Sequence, residues 1–163
     1  MGSQVYRYKS VEMAKYIVAY GNDNGYLMNM TKTQKLLYIA YGIFLAIERK
    51  RLCDEHPKAW PFGPVFPITR EALLKIPMYA LKTTDKEFAN IRQDKNIQEL
   101  LELVFGTFGN WTAQELSQWS HSEGSPWDLT VTENNGKWNK EISDNYIHSY
   151  FSSILKPIDT GQQ

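Results

Sequence analysis

Apolar residues recur along this chain mainly at three- and four-residue spacings, the period of helices buried on one face. Ser10 can cap a first helix whose Val11, Ala14, Ile17 and Val18 share a face, and Gly21 with the turn-prone Asn22, Asp23, Asn24 and Gly25 ends it. A second helix is expected after Thr31 or Thr33. From Leu36 to Ile47 it is apolar nearly all round, a pattern that requires burial on several sides and marks the central helix of the core. Arg49, Lys50 and Arg51 place cations at the negative end of its dipole.

Pro67 suits the first turn of a short helix through Ile68, Ala72, Leu73 and Ile76, stopped by Pro77. Thr84 and Glu87 have the spacing of a capping box and predict another brief helix. Ile97, Leu100, Leu101, Val104 and Phe105 repeat at helical spacing, with Gly106 and Gly109 closing the element. Thr112 and Glu115 form a second capping box at the start of TAQELSQWSH, which Gly124 and Pro126 break. The β-prone LTVT at 129–132 and KW at 137–138 flank Asn135-Gly136, the preferred type I′ pair, and predict a small hairpin. Ser143 then caps a last helix with the stripe Ile147, Tyr150, Phe151, Ile154 and Leu155. The expected fold is mostly α: one compact domain of about seven short helices around a central apolar helix, with one small β-hairpin. Its expected limits are 9–155, between an N-terminal tail (1–8) and a polar C-terminal tail (156–163).

The stretch KAWPFGPVFP at 58–67 breaks this pattern. Three prolines remove backbone donors and Gly63 frees the chain, so neither helix nor inner strand is expected there, only an irregular turn. Its large side chains suggest a division of labour. Trp60 and Val65 are expected to peg the turn to the helix at 36–47, and Phe62 and Phe66 to face a partner.

Length supports one self-sufficient domain burying about 70% of its unfolded surface. The single cysteine, Cys53, forms no internal disulfide and fits a reducing cytoplasm. The longest apolar run is too short for a membrane span, and no signal peptide precedes it. Formal net charge is zero, yet residues 96–136 hold no Lys or Arg and six carboxylates: Glu99, Glu102, Glu115, Glu123, Asp128 and Glu133. Such a stretch repels a phosphate backbone; on charge alone it reads first as a solvated acidic face, and otherwise as one suited to a basic protein partner, for which Glu115 and Glu123 are candidate contacts.

Catalytic signatures are missing: the chain has no nucleophile elbow, phosphate loop, zincin motif or dinucleotide fingerprint. Cys53 and His56 make a lone C-x-x-H pair where a structural zinc site needs four ligands, so no metal or other cofactor is expected. His121 lies near Glu123, Ser125 and Asp128, but triads are assembled from separate elements, and a tether at a helix end is the expected role. His148 is expected at the surface. TAQELSQWSHSEGSPW opens like a helix-turn-helix but has no basic recognition helix after its turn, so direct DNA reading is not expected.

One resemblance sharpens this picture. Gln34, Lys35, Leu36, Leu37 and Tyr38, followed by Ala59, Trp60, Gly63, Pro64 and Val65, resemble the K-L-Q-K-L-L-Y and A-W-x-x-G-P-V motifs of the Panacea, or SocA-like antitoxin, domain family. Leu116, His121, Pro126 and Trp127 are similar to its later L-x-x-x-x-H-x-x-x-x-P-W element, and ISDNYIHSYF at 142–151 to its terminal helix. The resemblance implies a non-enzymatic cytoplasmic antitoxin that neutralises a toxin encoded by an adjacent gene, by direct contact or by delivering it to a protease. Toxin, and in the second case protease, are the implied partners. The alternatives are a hydrolase using His121 and a phage host-interaction protein.

Overall fold

The computed structural model describes residues 6–155. The predicted tail at 156–163 and the first five residues of the N-terminal tail lie outside them. Tyr6–Tyr8, expected in that tail, form strand β1. Next come α1 (Ser10–Asp23), α2 (Met30–Glu48), β2 (Arg51–Cys53), β3 (Lys58–Trp60), β4 (Gly63–Val65) and α3 (Pro67–Leu73). Two 3-10 turns precede α4 (Ala89–Gln93), α5 (Lys95–Phe108), α6 (Ala113–Ser120) and α7 (Pro126–Glu133). Strand β5 (Lys140–Glu141) and α8 (Asp144–Leu155) complete the described residues. No helix among them is long and apolar enough to cross a membrane.

Helix α2 is the axis of the molecule. Every residue from Lys32 to Leu45 is buried, because α1, α5, α6, α8 and strands β2 and β4 all pack on it. This is what its all-round apolar sequence requires. The helix starts earlier than Thr31, since the Asn29 side chain accepts the Lys32 N–H at 2.8 Å. At the other end Arg49 takes the left-handed conformation, φ 58°. On α8, Ile147 and Phe151 are fully buried, while Ile154 of the expected stripe remains exposed. Gly42 is where α2 and α8 approach most demandingly: a Cβ there would lie 2.2 Å from the Phe151 ring.

Capping differs from expectation at two helices. Ser10 is the first residue of α1 and not its cap; its N–H donates to Asp54 Oδ1 at 2.8 Å and its hydroxyl to Glu55 Oε1 at 3.1 Å. Glu55 also receives the Ile68 and Thr69 N–H groups and the Thr69 hydroxyl, so one carboxylate serves the starts of α1 and α3. The Thr84–Glu87 box does not form. Glu87 instead pairs with Lys15 at 2.6 Å, and residues 86–88 make a 3-10 turn. The second box does form: the Thr112 N–H donates to Glu115 at 2.8 Å and the Glu115 N–H to Thr112 Oγ1 at 3.1 Å. Thr112→Ala is expected to lower stability by about 1 kcal/mol, read as a smaller midpoint in urea.

The strands overturn two expectations. KAWPFGPV is a tight hairpin, β3 pairing antiparallel with β4 in the register Lys58↔Val65, Ala59↔Pro64 and Trp60↔Gly63. The strand order is β4-β3-β5, so Pro64 sits on an edge strand, where a missing N–H breaks no ladder. Residues 129–133, expected in a hairpin, belong to α7. Ser125 Oγ accepts the Asp128 N–H at 3.2 Å and Pro126 fills the first turn, a start signal that overrides the β propensity of LTVT. Asn135 and Gly136 do adopt positive φ, 55° and 78°, but they end this helix instead of joining strands. Strands β1 and β2 pair in parallel, Tyr6↔Arg51 and Tyr8↔Cys53.

Candidate binding groove

The β3–β4 hairpin, the first half of α2, α3 and α6 enclose a groove of about 730 Å3. Gln34, Lys35, Trp60, Gly63, Val65 and His121, from three separated stretches of the sequence, all line it. Phe62 lines it as well, and the remaining sequence-predicted residues do not. Leu36, Leu37, Tyr38, Ala59 and Pro126 are buried.

Two side chains of α2 bind the hairpin. Gln34 Oε1 accepts the Phe66 N–H at 2.7 Å, while its amide nitrogen faces the Phe66 carbonyl at 3.5 Å, so the side chain acts as a short stretch of partner strand. Lys35 Nζ donates to the Pro64 carbonyl at 3.1 Å. Burial pushes its ammonium down from 10.5 to about 8. Gly63 makes room for this lysine: with φ at 116°, a Cβ would sit 2.9 Å from Lys35 Cε and 2.6 Å from Ser120 Oγ.

On the other side, three consecutive carbonyls of the hairpin are each held by a different side chain. Trp127 Nε1 donates to Trp60 O at 2.7 Å, His121 Nε2 faces Pro61 O at 2.9 Å, and the Ser117 hydroxyl donates to Phe62 O at 2.6 Å. His121 Nδ1 faces Ser117 O at 2.6 Å, and its ring meets the Trp127 ring edge-on with centroids 4.2 Å apart. Both imidazole nitrogens thus face backbone carbonyls. Ser125 gives its hydroxyl to Ser120 O and caps α7. No Ser-His-Asp relay is assembled, and His121 is the tether its sequence position suggested. Cys53 is fully buried, and that burial pushes its thiol well above its ordinary value, leaving a neutral, enclosed sulfur. His148 departs from expectation: its Nε2 is buried and has no hydrogen-bond partner among the described residues.

The proposed division of labour within KAWPFGPVFP changes accordingly. Phe62 is 76% exposed at the tip. Phe66, expected to face a partner, is fully buried beside Tyr41, ring centroids 5.8 Å apart. Val65, expected to peg the turn, lines the groove, while Phe66, the next residue, turns into the core. Trp60 is only half-buried. Its indole N–H donates to Asn139 Oδ1 at 2.9 Å and its face receives the Arg70 guanidinium at 5.9 Å, so it is a wall of the groove, tied to the segment before β5 and to α3 and not packed into the core as expected.

The acidic stretch does not form one uncommitted surface. Glu115 is committed to its capping box, Asp128 accepts the Gly124 N–H and Glu133 accepts the Tyr146 hydroxyl. Glu99, Glu102 and Glu123 are exposed. Arg70, Gln114, Ser117 and Gln118 are groove residues that sequence reasoning missed. Ser117 and Gln118 sit on the amphipathic α6 with no local signal separating them from ordinary surface positions; only the docking of the hairpin gives them a role.

Residues 33–128 match the family described as Antitoxin SocA-like, Panacea domain. Antitoxin SocA of Caulobacter vibrioides is 33% identical over 105 residues, which cover 59% of this chain and 56% of that protein. The match therefore spans little more than half the length of this relative. No solved structure matches the chain. The family match includes both α2 and the hairpin and runs through α6 to the start of α7, the elements that build the groove, and the chain belongs to the SocA-like antitoxin Panacea domain family.

Proposed function

We propose that this chain is an antitoxin-type binding domain that neutralises a toxin encoded beside it by direct contact, with the groove at the β3–β4 hairpin as the contact surface. The observation that carries the reading is the convergence of the separated family motifs on one preformed groove. Its turn is held at three successive carbonyls and presents Phe62 to solvent. A rigid aromatic tip beside a concave apolar wall is the kind of surface on which a few residues carry most of the binding energy. The engagement of His121 and the burial of Cys53 favour binding over hydrolysis.

Co-expression with the product of the adjacent gene tests this. Cells are expected to survive the pair and to die from the neighbour alone; a harmless neighbour, or one still lethal with this chain present, sinks the reading. Within the complex, Phe62→Ala is expected to weaken binding about tenfold or more while shifting stability by less than about 0.5 kcal/mol. Calorimetric titration and a denaturant melt of the same variant check the two halves of that statement.

A further inference from the structure

We infer that the groove binds an acidic segment of the partner protein, in which a carboxylate side chain stands next to a large apolar one. This rests on the toxin-binding reading and adds the chemistry of what is bound. Among the described residues, Lys35 and Arg70 are the Lys and Arg side chains lining the groove, and no Asp or Glu joins them. In a chain of zero formal charge this is a local excess of positive charge at a concave, largely apolar place.

The Lys35 ammonium is the centre of the argument. The residue is 3% exposed, and among the described residues its nitrogen has one hydrogen-bond partner, Pro64 O, and no ion pair. An ammonium has three donors, so its bonding capacity is unfilled on a wall of the cavity. Among the described residues Arg70 has one ion-pair partner, the exposed Glu71 at 3.8 Å, and it otherwise lies over Trp60. The first turns of α2, at Met30 and Thr31, and of α6, at Ala113 and Gln114, also line the groove and bring the positive ends of two helix dipoles. Apolar walls from Met30, Trp60, Phe62 and Val65 demand that the anion arrive on an apolar segment. Two cations, one of them sunk below the surface, suit one carboxylate on a flexible side chain better than the repeating charge of a nucleic acid, which needs a row of exposed cations.

The test titrates the full, 15N-labelled chain with acetyl-Phe-Glu-Leu-amide and with acetyl-Phe-Gln-Leu-amide, following Trp60, Gly63 and Gln118. The Glu peptide is expected to bind about tenfold more tightly, the weight of one charge-assisted hydrogen bond. That preference is expected to vanish in Lys35→Met and to shrink in Arg70→Gln, a replacement at a side chain on the surface of α3. Equal affinity for the two peptides, shifts confined to residues outside the groove, or tighter binding of oligothymidylate than of the Glu peptide would overturn the inference. With the toxin in hand, neutralisation that survives both substitutions overturns it and leaves the antitoxin reading standing. Failure of the wild-type chain to neutralise its neighbour sinks that reading, while the peptide preference is still measured on its own.

Discussion

Lys35→Met is expected to be more stable than the wild-type protein at pH 7, by about 2 kcal/mol. The folded chain holds this ammonium in the wall of the groove with a single carbonyl partner, and burial lowers it from 10.5 to about 8. Below pH 8 the lysine is charged in both states, and unfolding hydrates it, so the charge opposes folding. Between about 8 and 10.5 the unfolded chain binds a proton that the folded chain has released, so stability rises with pH across this window. The displacement corresponds to roughly 3 kcal/mol, from which about 1 kcal/mol is subtracted for the lost bond to Pro64 O. Buried tyrosines and Cys53, whose raised values make them lose stability as pH climbs past their unfolded values, are common to both proteins and cancel in the difference. Urea unfolding of the pair from pH 7 to 10.5 should therefore show a gap that closes as pH rises. A variant less stable at pH 7, or a gap that ignores pH, contradicts the assignment. A group that costs stability yet lines the groove proposed to hold the partner fits a site kept for function.

The second large effect lies at the α2–α8 contact. Phe151→Ala is expected to cost about 3–5 kcal/mol, because the ring is fully buried among Tyr38, Trp119 and Tyr150 and little around it can collapse into the space. Gly42→Ala alone is expected to cost about 1–3 kcal/mol by overpacking, against the gain of up to about 1 kcal/mol that alanine brings to an unobstructed helix. In the Phe151→Ala background the obstruction is gone, and the same substitution should become neutral or stabilising. A double-mutant cycle measured by denaturant reads this reversal of sign, and simple additivity of the two losses would refute the steric account.

Helix periodicity was legible wherever one element decided its own burial. The all-apolar run of α2, the stripe of α5 and the capping box of α6 are local signals, and the structure follows them. Misreadings arose where distant groups decided the outcome. LTVT is helical because Ser125 and Pro126 start a helix upstream and α7 packs on β3, β5 and α8. KAWPFGPV pairs as strands because its prolines fall at the turn and on an edge, a fact that depends on the position of β5. The groove was half visible. Gln34, Lys35, Trp60 and His121 stood out as parts of a resemblance, but nothing in their spacing says that Gln34 binds the Phe66 backbone or that Arg70 shares their cavity. The sequence sets Phe62 and Phe66 facing outward alike, because apolar character alone does not tell that Phe66 turns in while Phe62 stays exposed.

The carboxylate of Glu55 joins the starts of two helices that are far apart in the chain, Ser10 of α1 and Ile68 and Thr69 of α3. Neither end can fray without releasing bonds that also steady the other, so the two form one cooperative unit of local opening. Because α3 carries Arg70, the cationic wall of the groove shares its opening free energy with the beginning of the first helix, and a disturbance at either place is felt at both.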